Sequence, residues 1–314
     1  MERKKSYILL IVSAVIVVAA LVSAIITRNS SYAKSVEIGD EVKAVKAQIE
    51  EYEQIESPSE EEVAKLAELK VTRDALSDNK LEAERPYSFS LAFLFLGLLM
   101  LVKGILDATV GFKKEDTKVN INKLTQAALM AALCYIGFAF FKIDIPVGTE
   151  KTAFHFGNVF CVLAALLIDG YYGGLAGAVG MTIGDLLTSY VTSAPKTFLL
   201  KLIIGLIVGT VAHKIFKLNA SHSKKFVIGI TILSSACGMI FNIIADPLVG
   251  YFYKSYLLGV PQDLAATLAK INLLTTSVNA ITAVVAATII YLALRPALNK
   301  AGLLLKDEAK TKEE

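Results

Sequence analysis

Tryptophan is absent from the 314 residues, and histidine and cysteine occur three times each. Charge is scarce as well: charged residues make up 19% of the chain against 54% hydrophobic ones, and the mean hydropathy is +0.56. That composition excludes an ordinary soluble globular domain and points to a polytopic membrane protein. The net charge of +3 is small and unevenly placed, which speaks to orientation across a bilayer and to no nucleic-acid partner. Cys134, Cys161 and Cys237 all fall in apolar runs, where a thiol behaves as a small hydrophobe, so neither a disulfide nor a metal centre is implied. Nucleotide loops of the G-x-x-x-x-G-K-[ST] type, H-E-x-x-H zinc helices and G-x-S-x-G elbows are missing too. His155, His213 and His222 are scattered, so no catalytic residues and no cofactor are expected, and any ATPase that drives the protein must be another chain. Without tryptophan, an aromatic belt falls to tyrosine and phenylalanine, and Tyr87, Tyr171, Tyr172, Tyr251, Tyr253 and Tyr256 lie near predicted helix ends.

What is present is organised around residues 156–213, a glycine-punctuated apolar stretch whose only formal charges are Asp169, Asp185, Lys196 and Lys201. Three crossings can be cut from it at Asp169-Gly170 and Ser193-Ala194-Pro195. Ahead of it, MERKK precedes an apolar run from Ile8 to Ile26, which suits an anchor of roughly 20 residues. The competing reading, a cleaved signal peptide, expects a shorter run and a small-x-small site. Residues 28–86 then turn polar, with nine Lys and Arg against fifteen Asp and Glu. Within them Ile38, Val42, Val45, Ile49 and Tyr52 follow a heptad seam, Ser57-Pro58-Ser59 breaks it, and Leu66, Leu69, Arg73 and Leu76 continue it on a second arm. Ser59 is placed to cap that arm ahead of Glu60, Glu61 and Glu62. The pattern predicts an antiparallel coiled-coil hairpin on two membrane anchors, acting either as a spacer or as a docking element.

The expected organisation is therefore an all-α membrane protein. Its parts are a transmembrane anchor over 1–27, the extracytoplasmic hairpin over 28–86 and a second transmembrane helix over 87–112. A basic linker over 113–120, a six-helix domain over 121–296 and a polar tail over 297–314 complete it. The six crossings are placed at about 121–141, 156–169, 171–191, 197–213, 226–248 and 270–293. Lys and Arg gather at Arg3 to Lys5, Lys113 to Lys123, Lys214 to Lys225 and Arg295 to Lys300, which puts both termini in the cytoplasm of a plasma-membrane protein.

Polar groups inside a membrane are costly and mark function by default. Asp185, Asn242, Asp246, Asn272 and Asn279 all fall in the outer halves of predicted crossings; Lys196, His155 and Asn158 share that depth. They suggest one outward-facing pocket roofed by the loop Ile143 to His155, with Asp144 in the loop and Tyr190 at the end of the third crossing as further candidates. The alternative is that Asp185 pairs with Lys196 or Lys201 and the asparagines bond between helices. Glycines four apart at Gly170/Gly174, Gly173/Gly177, Gly180/Gly184 and Gly205/Gly209 offer close helix contacts, and Ala127/Ala131 with Ala128/Ala132 repeat a small face on the first crossing of the six.

Over about residues 120–296 the chain resembles the substrate-binding S components of energy-coupling factor transporters, in particular the group of riboflavin-type or uncharacterised S components. The likeness rests on that alanine face, the run HFGNVFCVLAALLIDGYYGGLAGAVG, the run GDLLTSYVTSAPKTFLLKLIIGLIVG and six crossings with both ends inside. It implies a vitamin-binding subunit that works with a transmembrane coupling subunit and two ATP-binding-cassette ATPases. It also implies that Ala127, Ala128, Ala131 and Ala132 contact the coupling subunit, and that ligand sits near the outer face. Residues 1–115 depart from the family's six-helix unit. Rival functions are an ion-coupled secondary transporter using Asp185 and Asp246, and a structural or sensory protein working through the hairpin.

Overall fold

The computed structural model describes residues 2–109, 121–147, 150–220 and 222–304. The basic run Lys113, Lys114 and Lys118 and the tail from 305 onward lie outside the described residues. Two compact units divide the chain. One takes Met1–Asp116 with Ser189–Pro195, the other Thr117–Thr188 with Lys196–Glu314.

In the first unit, α1 (Glu2–Thr27) runs through a π-helical turn, Arg28–Tyr32, into α2 (Ala33–Glu53), and α3 (Glu60–Thr109) returns. The return is antiparallel. Glu53 forms an ion pair with Lys70, a Cβ on Gly39 would touch Lys80, Tyr32 meets Tyr87, Ser23 bonds Ser90, and a Cβ on Gly97 would meet Val17. Each later residue of α3 thus faces an earlier one of α1–α2. The expected seam lies inward: Val42, Ile49 and Leu69 are buried and Ile38, Val45, Tyr52, Leu66 and Leu76 half-buried. Ser59 and Glu62 form a reciprocal cap at the start of α3: the Ser59 N–H donates to Glu62 Oε2 at 2.7 Å and the Glu62 N–H to Ser59 Oγ at 3.3 Å. The Ser59 N–H and hydroxyl together hold the exposed Glu62 carboxyl below its usual range. A short 3-10 helix, Val191–Ser193, packs on α3 within this unit.

The second unit is a helical bundle: α4 (Ile121–Ala139), α5 (Gly157–Leu167), α6 (Gly170–Leu187), α7 (Ala194–Gly209), α8 (Lys224–Phe252) and α9 (Gln262–Lys300). The first residues of α7 belong to the other unit. Four helical stretches among the described residues are long and apolar enough to cross a membrane: Ile11–Glu53, Val191–Ile215, Lys224–Leu257 and Gln262–Lys300. α5 is short, as its eleven residues require. Asp169 caps α6 by accepting from the Tyr172 N–H at 2.8 Å, and Ser223 caps α8 through the Phe226 N–H. The core centres on α5, whose Val162, Ala164, Ala165 and Leu166 are wholly buried.

One expectation needs refinement. The loop expected over Ile143 to His155 is an antiparallel β-hairpin, β1 (Lys142–Val147) and β2 (Glu150–His155), with Lys142 opposite His155 and Val147 opposite Glu150. Its β-branched Ile143, Ile145 and Val147 alternate with polar or small residues, which favours a strand, although six residues are too few for periodicity to stand out.

The glycine pairs decide how closely the helices approach. A Cβ on Gly205 would lie 2.2 Å from Gly174 Cα, and one on Gly209 would lie 2.2 Å from Gly170 Cα. α6 and α7 therefore touch backbone to backbone, which is available only without side chains on either partner. Gly180 plays the same part against α4, where its Cβ would lie 2.1 Å from the Ala131 carbonyl oxygen. Gly205→Val should force these helices apart and abolish recovery of monodisperse protein, whereas Gly229→Val, where a Cβ meets nothing within 4 Å, should leave it intact; size-exclusion profiles in detergent check the contrast.

Candidate functional site

Helix α7 carries Lys196 in its first turn, and α8 brings Asp246 to it: the ammonium lies 2.8 Å from Asp246 Oδ1, with side-chain exposures of 8% and 20%. Thr276 on α9 donates to the other carboxylate oxygen at 3.2 Å. The pair thus ties three helices together. Next along α7, the Thr197 hydroxyl lies against the Asp185 carboxylate of α6. One turn further, Lys201 donates to Asn242 Oδ1 at 3.3 Å. Lys196 therefore pairs with Asp246 and not with Asp185, and Lys201 is bonded to a neutral amide.

Helical spacing explains the convergence. Residues 196, 197 and 201 lie within two turns of α7, 242 and 246 are one turn apart on α8, and 275, 276 and 279 fall within about one turn of α9. A carboxylate or ammonium in lipid is expensive unless paired, so these positions are among the most constrained in the bundle. Several polar atoms remain unpartnered: Asp185 Oδ2, Asn242 Nδ2, Asn158 Oδ1 and His155 Nδ1 are all buried without a hydrogen bond. Asp185, Asn158 and Asn242 are 2%, 1% and 1% exposed. Donors and acceptors are both represented in that set, which is what a small polar heterocycle needs from a dry pocket.

The β-hairpin lies against α9. The Asn279 carboxamide takes the His155 N–H on Oδ1 and gives its own N–H to the Ala153 carbonyl, both at 3.0 Å. Thr152 and Thr275 share a hydrogen bond of 3.1 Å, and Lys254 pairs with Glu150. Among the expected site residues, Asp185, Lys196, Asn242, Asp246, Asn279, His155 and Asn158 all belong to this unit. Asp144 lies on exposed β1, where it pairs with Lys142 at 3.1 Å. Tyr190 falls in the Ser189–Pro195 segment of the other unit. Thr197, Thr276, Thr152, Thr275 and the Glu150–Lys254 pair escaped the sequence reading; the run Thr275-Thr276-Ser277-Val278-Asn279 was the available signal for part of it.

The alanine face on α4 divides. Ala127 is buried and Ala131 half-buried, and Ala131 borders Gly180 of α6. Ala128 and Ala132 are exposed beside Leu129 and Leu133. Among the described residues no cluster of His, Cys, Asp and Glu has the grouping of a metal site.

An all-α membrane bundle with charged and amide side chains converging in its interior has the architecture of a solute-binding membrane protein. The profile of the ECF-type riboflavin transporter S component matches residues 118–296, more than half of the chain, and the chain belongs to that family. No curated protein and no solved structure matches it.

His155 is held neutral. Burial drives its pKa from 6.5 to about 3, chiefly by removing water from the charged form, with the Lys201 charge adding to the shift and Asp246 opposing it. The folded protein then binds fewer protons than the unfolded chain between about pH 6.5 and 3, so stability is lost as pH falls through that window. Thermal unfolding between pH 7 and 5 should show a decline that His155→Gln reduces. The ion pair makes a second expectation. Asp246→Ala strands a buried ammonium and should cost about 3–5 kcal/mol, while Lys196→Ala/Asp246→Ala together should cost less than Asp246→Ala alone; melting curves of the three proteins measure the difference.

Proposed function

We propose that this protein is the substrate-binding subunit of an ATP-driven vitamin uptake transporter, with riboflavin the first ligand to test. Family membership suggests the vitamin class, and the observation that carries the site is the unpartnered buried Asp185 Oδ2 and Asn242 Nδ2 near the Lys196–Asp246 pair, with Asn158 Oδ1 likewise buried and unpartnered. Buried polar atoms without partners cost about 1–3 kcal/mol each, and a ligand that supplies the missing bonds recovers that cost. The ligand-contacting residues in this reading are Asp185, Lys196, Asn242 and Asp246, with His155, Asn158 and Asn279 around them. Asp144 stands as an outer candidate.

The transmembrane coupling subunit docks on the alanine stripe of α4, with Ala128 and Ala132 open to it and Ala127 and Ala131 letting α4 close on α6. Two ATP-binding-cassette ATPases complete the transporter. Both termini lie in the cytoplasm and the hairpin over 28–86 lies outside, in keeping with the distribution of Lys and Arg. The N-terminal segments serve as 1–27 and 87–112 anchors for that hairpin, and 121–296 is the S-component domain.

Purified protein should carry a vitamin, identified by mass spectrometry after denaturation, and should bind riboflavin with nanomolar affinity. Asp185→Asn and Asn242→Ala should each weaken binding at least tenfold. Absence of any bound vitamin, together with uptake that collapses with the ion gradient but survives ATP depletion, would overturn the reading.

A further inference from the structure

The roof hairpin is tied to the helices through β2, at Glu150, Thr152, Ala153 and His155, and three of these four links go to α9. β1 carries its own Lys142–Asp144 pair and exposes Ile143. On α9 the fastening is a single face: Thr275 and Asn279 are one helical turn apart, and both are buried.

Asn279 does something specific there. A strand normally offers alternating N–H and C=O groups to a neighbouring strand. The Asn279 carboxamide supplies one acceptor and one donor in the same order, receiving from His155 N–H and giving to Ala153 C=O at 3.0 Å each. One side chain on a membrane helix thus substitutes for a missing strand. Both ends of its amide are engaged by backbone and not left for a ligand.

We infer that Asn279 is a positioning residue, a clamp that holds β2 down over the polar cluster and so controls how long a ligand stays bound. The inference rests on the binding reading above for its last clause only; the clamp itself is made entirely by contacts within the chain. An ionised Asp cannot replace it, because a carboxylate accepts the His155 N–H but has no proton for the Ala153 carbonyl. Thr275 contributes the second fastening through Thr152.

The test uses the full chain in nanodiscs. Amide exchange of residues 150–155, followed without ligand, should quicken about tenfold in Asn279→Asp and more in Asn279→Ala, with Thr275→Val giving a smaller increase. Leu274→Ala, an exposed position on the same helix, should leave exchange unchanged. With riboflavin as probe, Asn279→Asp should raise the dissociation rate about tenfold while the association rate holds or rises, since an opened roof admits ligand as readily as it releases it. A general folding defect would instead lower the association rate and the melting temperature. Exchange at 150–155 in Asn279→Ala equal to that of the unaltered protein would overturn the clamp. A quickened exchange with an unchanged dissociation rate would overturn the retention role. Failure of the unaltered protein to bind riboflavin would count against the proposed ligand, and the exchange data would still decide the clamp.

Discussion

A lysine and an aspartate facing each other inside an apolar bundle set the terms for everything near them. Neither Lys196 nor Asp246 could be held in that interior alone, and their mutual attraction repays desolvation only when the remaining lone pairs find donors. Thr276 provides one such donor to Asp246 Oδ2. The pair therefore fixes the rotation of α7, α8 and α9 together, because turning any of these helices would bury an unmatched charge. Thr197, next to Lys196, then has to face Asp185 of α6. Four helices are keyed by two consecutive residues of α7.

Keying by charge needs close helices, and the glycines supply the closeness. Backbone contact between Gly174 and Gly205, and between Gly170 and Gly209, brings α6 and α7 nearer than any side-chain packing would permit. In lipid there is little hydrophobic gain from helix association, so dispersion across such flat faces and the polar contacts above share the work. The two effects reinforce each other: the glycines place Asp185 beside α7, and the polar contacts hold the register at which glycine meets glycine.

Much of this was legible in the chain. Hydrophobic run length and capping residues located α4 to α8 to within a few residues, helped by the boundaries at Asp169, Ser193 to Pro195 and Ser223, whereas α9 (Gln262–Lys300) overruns the expected 270–293 crossing at both ends. Intramembrane Asp185, Asn242, Asp246 and Asn279 stood out because charge and amide groups are rare at such depth. Partnership was not legible. Asp185 and Asp246 are equally plausible mates for Lys196 on spacing alone, and only the rotation of α8 selects Asp246. Threonines such as Thr276 and Thr197 are common in apolar helices, where they bond their own backbone, so nothing in the sequence distinguishes those that reach a neighbour. The β-hairpin was hidden for another reason: each strand is short and Pro146 lies within the first, which weakens any strand signal.

Helix α9 is where these separate demands meet. Thr276 serves the ion pair, while Thr275 and Asn279, on the adjoining face, serve β2. Within about one turn, the same rigid segment carries the electrostatics of the interior and the fastening of the roof. A shift of α9 by a fraction of a turn cannot loosen one without disturbing the other. A change in the Lys196–Asp246 distance would act on Thr276, and through the helix backbone on the two residues that hold β2, because three side chains within about one turn of helix are each committed to a different partner.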